Sequence, residues 1–570
     1  MRRLLIILAV LVGVAILAAA MGIFFSGAPS ALGGPRVLSW RIDSPLVDYS
    51  EAPDLSLFRR NSPKGLAGIH RTLTQARTDD SVDGLAVYIQ SARFGFGKAQ
   101  EIRTLFQSFT EAGKFVDCYL ETAGEGTNGT LAYYLATGCE RITLSPLGEL
   151  NVVGLYADSP FIRGTLDKLR IEPQFLHVGD YKSAAEFYTE SEHSAAAAEA
   201  LGAVLDDLYD QIVSAIAESR ELPPDLVRDL IDRAPLDSDQ ALESGLVDEV
   251  TYPDVFEERI DDRREGKSGL IPLKDYQGTA GGIGLPRVAV VFAQGTIVRG
   301  GNGTDPWSQQ RFVGAEGMRQ ILRPLAEDTD LVGVVLRVDS PGGSPVASDL
   351  ILREIELLAA SKPVVVSMSD VAASGGYYIS TKAAKIVAEP ATITGSIGVV
   401  GGKLATRRFQ QELLGISHDT LQRGANADFY SSLDIFSPAQ EAQFLRHMTR
   451  TYDIFVDHVV QGRGMSREEV EKVAGGRIWT GRQALEIGLV DEIGGLDRAV
   501  EMVLEAAGMD PTEPTGLEFY PRPPSLFELL SRSLSPLLEI RSTPFPMLPT
   551  LRTPHALELP TELLQLLRPS

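Results

Sequence analysis

Cysteine is scarce. There are two in 570 residues, Cys118 and Cys139, and neither sits in a CxxC or other metal-ligand spacing. Two thiols cannot make a disulfide framework, so the pair is expected as buried free thiols, with a single bridge as the alternative. Positive charge is also short. Lys and Arg number 53 against 76 Asp and Glu, and the net charge of −23 repels phosphate backbones and excludes a nucleic-acid partner. Histidine is sparse, seven in all, and none lies beside a glycine-rich turn of the C-terminal half. No G-x-S-x-G elbow is present either, which removes the usual serine–histidine arrangement. With no metal-ligand spacing, neither a metal nor an organic cofactor is expected. What remains is a balanced globular composition, 44% hydrophobic and 23% charged, in a chain too long for one core.

Long apolar runs are absent except for one. Met1-Arg2-Arg3 leads into an uncharged stretch from Leu4 to Phe25, 22 residues, enough to cross a bilayer as a helix. Arginines before the run and none just after it favour a cytoplasmic N-terminus. A membrane anchor over residues 1–27 is therefore expected, with everything downstream facing outward. A signal peptide cleaved after Ala18-Ala19-Ala20 is the competing reading, but the run continues through Met21-Gly22-Ile23-Phe24-Phe25.

The chain repeats itself. Gln240–Val250 and Gln483–Ile493 are identical at nine of eleven positions, and Pro35-Arg36-Val37 matches Pro286-Arg287-Val288. Tyr133-Tyr134, Pro146 and Gly154 align without gaps onto Tyr377-Tyr378, Pro390 and Gly398. A tandem duplication follows, with copies over residues 35–260 and 286–508, a charged then glycine-rich linker over 261–285, and a Pro-rich tail over 509–570. Each copy alternates strands and helices, so the fold class is α/β. Gly333–Val338 and Pro363–Met368 read as buried strands. Leu350–Leu358 and Ser437–Val460 read as helices, the latter with Ser437 at its N-cap and Pro438 at N1.

The C-terminal copy holds two glycine-marked turns directly after strands. In Asp339-Ser340-Pro341-Gly342-Gly343-Ser344 the paired glycines leave amides open to a ligand. In Asp370-Val371-Ala372-Ala373-Ser374-Gly375-Gly376-Tyr377-Tyr378, Ser374 stands where a strand gives way to a helix, the place of a nucleophile with the Gly375 amide facing an oxyanion. A capping serine in a tight turn explains the second motif equally well. A serine nucleophile needs a base, and with histidine excluded a lysine serves if burial lowers its pKa. Lys182, in Gly179-Asp180-Tyr181-Lys182-Ser183-Ala184, is the candidate, against the ordinary reading of a solvated lysine. The duplication shifts the balance. Ser374 aligns with Thr130, and Lys182 falls opposite Gly424-Ala425-Asn426-Ala427. Each copy therefore has what the other lacks, as expected if one active site survives between two diverged copies.

At these residues the chain resembles the signal peptide peptidase A family in its long, two-domain bacterial form. Four motifs in matching order carry the resemblance: Gly-x-Tyr-Lys-Ser-Ala, Asp-Ser-Pro-Gly-Gly, Ala-Ser-Gly-Gly-Tyr-Tyr and Thr394-Gly395-Ser396-Ile397-Gly398. It implies a fold like Clp protease and the crotonases, built from superhelical β-α-β units, and a bowl-shaped homo-oligomer, a tetramer, with sites between the two copies. The family's nucleophile falls on Ser374 and its general base on Lys182. Its lysine-orienting serine falls on Ser396, and its oxyanion amides on Gly343 and Gly375. The implied substrates are signal-peptide remnants. The implied location is the inner membrane, single-pass, with the catalytic domains on the periplasmic side. A crotonase-type acyl-CoA enzyme and a non-catalytic membrane scaffold are the rivals, and neither needs Ser374 and Lys182 together.

Overall fold

The computed structural model describes residues 36–50, 65–263, 270–276, 278, 285–305 and 308–522. The expected anchor over residues 1–27 lies outside them, and among the described residues no helix is long and apolar enough to cross a membrane.

Two mixed α/β layers are built on two sheets. The first uses β1 (Arg36–Ile42), β2 (Val82–Ile89), β3 (Phe115–Leu120) and β4 (Arg141–Leu144). Beyond a separate strand β5 (Glu172–Val178), two short strands complete it, β6 (Glu249–Val250) and β7 (Ile271–Pro272), in the order β6-β4-β3-β2-β1-β7, all parallel. The second sheet uses β8 (Arg287–Gln294), then, past a short strand β9 (Thr296–Val298), β10 (Leu331–Ser340), β11 (Val364–Ala373), β12 (Lys385–Ala388) and β13 (Ile393–Gly395). Strand β14 (Val399–Ala405) leaves it. The sheet closes with β15 (Ile478–Thr480), β16 (Glu492–Ile493) and β17 (Gly516–Tyr520). The two sheets correspond strand by strand: β16-β12-β11-β10-β8 runs as β6-β4-β3-β2-β1 does, and β17 flanks β8 as β7 flanks β1.

The central strands are buried on both faces, which is why they read as unbroken β-branched runs rather than alternating ones. Helices cover those faces: α1 (Gly65–Arg77), α2 (Phe96–Glu111), α3 (Thr130–Ala136), α4 (Ala195–Arg220), α5 (Pro345–Ala359), α6 (Gly375–Ser380), α7 (Pro438–Arg463) and α8 (Leu496–Ala506). The start expected at Ser437 is present, and a second start, at Ser344, joins it. Ser344 caps α5 ahead of Pro345, and Ser437 and Gln440 form a capping box on α7. Val371, Ala373, Ile393 and Ile478 of the second half belong to the same apolar cluster as the core of the first.

Three expectations are corrected. Cys118 on β3 and Cys139 after α3 are not free thiols but a disulfide, their Cα atoms 5.9 Å apart. The two positions are neighbours because α3 returns the chain to the sheet beside β3. The stretch expected as a linker is partly folded: Ile271 and Pro272 pair with β1, while Leu273 and Tyr276 are buried. The tail expected from residue 509 begins as sheet, because Leu517 and Phe519 pack against the core beside β8. The rest of that tail lies outside the described residues.

Candidate active site

The second sheet ends in two turns side by side. After β11 the chain reverses at Ser374, whose φ of 53° and ψ of −115° are unusual for a residue with a side chain. Its amide donates to the Gly395 carbonyl at 2.9 Å and its carbonyl accepts from Tyr378 N at 2.8 Å, so the strain is held from both sides. After β10 comes the Gly342-Gly343 turn. Gly342, at φ 101°, leaves no room for a side chain, since a Cβ there would lie 2.9 Å from Ser374 Cβ. Gly343 is likewise closed, by Ile297 N at 2.9 Å. Among the described residues neither the Gly343 nor the Gly375 amide donates to an acceptor. A Cβ built on Gly375 would lie 3.2 Å from Gly343 N, which places the two free amides beside one another.

Lys182 arrives from the other half of the chain. Strand β5 pairs antiparallel with β14 over seven residues, from Glu172 opposite Ala405 to Val178 opposite Val399, and delivers Lys182 just past its end. Gly475–Arg477 then locks lysine and serine turns together. Tyr181 N donates to the Gly475 carbonyl at 2.9 Å, Gly476 N to Ile397 O at 2.8 Å, and Ser396 N to Arg477 O at 2.7 Å. Lys182 Nζ lies 3.1 Å from Ser374 Oγ and donates to the Ser396 carbonyl at 2.8 Å and to Ser396 Oγ at 2.9 Å. All its partners are neutral oxygens. Burial, with no carboxylate to offset it, lowers the Lys182 ammonium to about 7.

All five sequence-predicted residues thus meet at one place. Lys182, Gly343, Ser374 and Gly375 line a cleft of about 580 Å³ that continues over Val298, Val346, Tyr378, Val400 and Phe455, and Ser396 stands behind Lys182. None of the described histidines lines it. His70 is instead buried against Asp497 Oδ1 at 2.8 Å, and burial notwithstanding that carboxylate raises its pKa.

Beneath the turns lies a charge cluster that motif reading missed. Lys98 of α2 meets Asp339 and Asp370, and Arg337 of β10 meets Asp48, Glu101, Ser367 and Ser369. Burial raises the Asp339 carboxyl, while Lys98 pulls against it. Glu389, also buried, is pushed up to about 8 by desolvation and the nearby Glu101. A signal for the cluster was present in the sequence: one aspartate precedes each glycine turn of the second half.

Comparisons with known proteins bear on the family. Peptidase family S49 matches residues 121–265 and 356–510. The chain is 32% identical to the chloroplastic serine protease SPPA of Arabidopsis thaliana, over 83% of this chain and 70% of that one. It is 31% identical to Protease 4 of Haemophilus influenzae, over 75% and 71%. Among solved structures, a membrane-bound stomatin-specific protease aligns at 16% identity over 42% of this chain and 99% of its own, and its TM-score of 0.26 is too low to bear on the fold.

Proposed function

This chain belongs to peptidase family S49 and is a serine protease, and from that premise we propose that Ser374 is its nucleophile and Lys182 its general base, acting on apolar peptides of the signal-peptide kind. One observation carries the reading: a buried amine brought to about 7 by desolvation stands 3.1 Å from a strained serine hydroxyl. A lysine at its ordinary pKa would be protonated and unable to accept a proton.

As a neutral amine, Lys182 spends its two N–H bonds on the carbonyl and hydroxyl oxygens of Ser396. Its lone pair is left for the Ser374 proton. Ser374 Oγ attacks the peptide carbonyl and passes its proton to Nζ. The Gly343 and Gly375 amides, otherwise without acceptors, take the oxyanion. The ammonium then gives its proton to the leaving amine. Water attacks the acyl-enzyme with Lys182 again as base, which regenerates Ser374. Ser396 acts as the orienting third member.

The valines and aromatic rings of the cleft favour an apolar peptide. The resemblance to signal peptide peptidase A and the uncharged run from Leu4 to Phe25 support a single-pass inner-membrane anchor with the catalytic part on the periplasmic side. The same resemblance supports a homo-oligomer.

The test is hydrolysis of an apolar fluorogenic peptide by the chain from residue 26 onward. Ser374→Ala and Lys182→Met are expected to be inactive, and Ser396→Ala to lose roughly 10–100-fold in kcat. A serine-directed acylating probe should add its mass at Ser374. Wild-type turnover in either of the first two variants would remove the dyad.

A further inference from the structure

We propose that Lys98 is a positioning residue for this active site: reaching across from the first half, it ties together the two carboxylates on which the oxyanion turn and the nucleophile turn stand. The inference rests on the reading of Ser374 and Lys182 as the dyad and adds to it what holds the two turns in register.

The two turns must keep a fixed relation, because a tetrahedral oxyanion has to meet one amide from each. Two adjacent parallel strands would normally fix it by their ladder. Here the ladder is interrupted just short of the turns. Strands β10 and β11 pair in step up to Val338 opposite Met368, but the next pair is Ser340 opposite Ala372. One strand has advanced two residues and the other four, so Ser369, Asp370 and Val371 bulge, with Ala372 and Ala373 between them and Ser374. Side chains replace the missing bonds. Val371 N donates to Asp339 Oδ1 at 3.2 Å. Lys98 Nζ meets Asp339 Oδ2 at 2.6 Å and Asp370 Oδ2 at 2.6 Å, one carboxylate from each strand.

Lys98 is itself fixed. Asp370 accepts from the backbone amides of Gly95 and Lys98, each at 2.9 Å, and so caps the start of α2 from the other half of the chain. The approach is tight: a Cβ on Gly97 would lie 3.0 Å from the Ser369 carbonyl. Asp48 stands 3.3 Å from Nζ on the remaining side and also holds Arg337. A buried ammonium bridging both strands carries more than charge balance, because neutral side chains of similar volume would avoid the desolvation altogether.

The experiment compares steady-state kinetics and Tm for wild type, Ser374→Ala, Lys98→Met, Lys98→Arg, Asp339→Asn and Ile260→Ala in the full chain. Ile260 is fully buried in a cluster on the far side of the first sheet, and its truncation supplies a stability loss without touching the turns. Lys98→Met and Asp339→Asn are expected to lower kcat about tenfold or more with KM within about twofold, since binding survives while oxyanion alignment does not. Lys98→Arg should recover part of that loss. Ile260→Ala should keep wild-type kcat at a reduced Tm. Should Lys98→Met fail to accumulate, Asp339→Asn decides, because it leaves Lys98 bound to Asp48 and Asp370. Wild-type kcat in Asp339→Asn, or an equal fall in Ile260→Ala, would overturn the proposal. Activity in Ser374→Ala would show instead that the dyad reading beneath it is wrong.

Discussion

In the proposed dyad Lys182 serves as base through desolvation alone, and the sign of that effect can be tested twice. Its ammonium is lowered from 10.5 to about 7, so the neutral form dominates above pH 7. The rate of acylation should fall about tenfold per pH unit below 7 and level off above it, measured as kcat/KM against pH. Stability carries the same information in reverse. Between pH 7 and 10.5 the unfolded chain holds a proton on this lysine that the folded chain does not. Folding stability therefore rises with pH across that window, and the burial penalty is fully present below it. Lys182→Met removes the penalty. Its Tm relative to wild type should be higher at pH 6 than at pH 9, and a difference independent of pH would mean that Lys182 is not held near neutrality. Nothing local in the sequence distinguishes this lysine from a surface one. It became legible because its repeat partner, the Gly424–Ala427 stretch, lacks it and because its motif takes part in the family resemblance, whereas Ser374 already stood out between small residues at a strand's end.

At the scale of elements, the site depends on loops that brace one another. The Gly475–Arg477 loop bonds the Lys182 turn on one side and the Ser396 turn on the other. At Gly476, φ is 89° and a Cβ would lie 2.6 Å from Lys182 Cα, so an alanine would strain its own backbone and displace the lysine. Gly476→Ala is expected to lose at least about 100-fold in kcat/KM while the protein stays folded, because a shift of about 1 Å at a catalytic group suffices for that loss. Unchanged kinetics would show that the loop yields without moving Lys182. Sequence reading found the strands and capped helices flanking the site, because burial periodicity and capping are local. It did not find this loop, whose glycines answer to a backbone nearly 300 residues earlier in the chain. Lys98 escaped for the same reason, and the two aspartates, though each precedes a glycine turn, have no visible tie to it until the sheet, its bulge and α2 bring the three together.

Across the whole molecule, the halves are not independent lobes that happen to touch. The β5–β14 ribbon contributes seven residue pairs across them. Asp48 and Glu101 of the first half neutralise Arg337 of the second, and Tyr49 stacks on Phe292 with ring centroids 4.6 Å apart. The main apolar core of the first half takes in Val371 and Ala373, on the strand that leads to Ser374. A half produced alone would expose that core surface and leave buried charges without partners, each costing several kcal/mol. Duplication was readable from the repeated motifs, but this degree of interlocking was not, since the residues concerned carry no repeat signal. A chain divided between Arg263 and Leu270 tests it. The cut leaves β7 on the C-terminal piece and its partner β1 on the N-terminal piece, adding one more strand pairing to the contacts that must re-form. Neither piece should hydrolyse peptide alone, because one carries Lys182 and the other Ser374. Produced together, the two should associate and recover hydrolysis, read by copurification and turnover of the fluorogenic peptide. Turnover by the C-terminal piece alone would mean that Ser374 draws its base from within its own half, and Lys182 would lose its place in the mechanism.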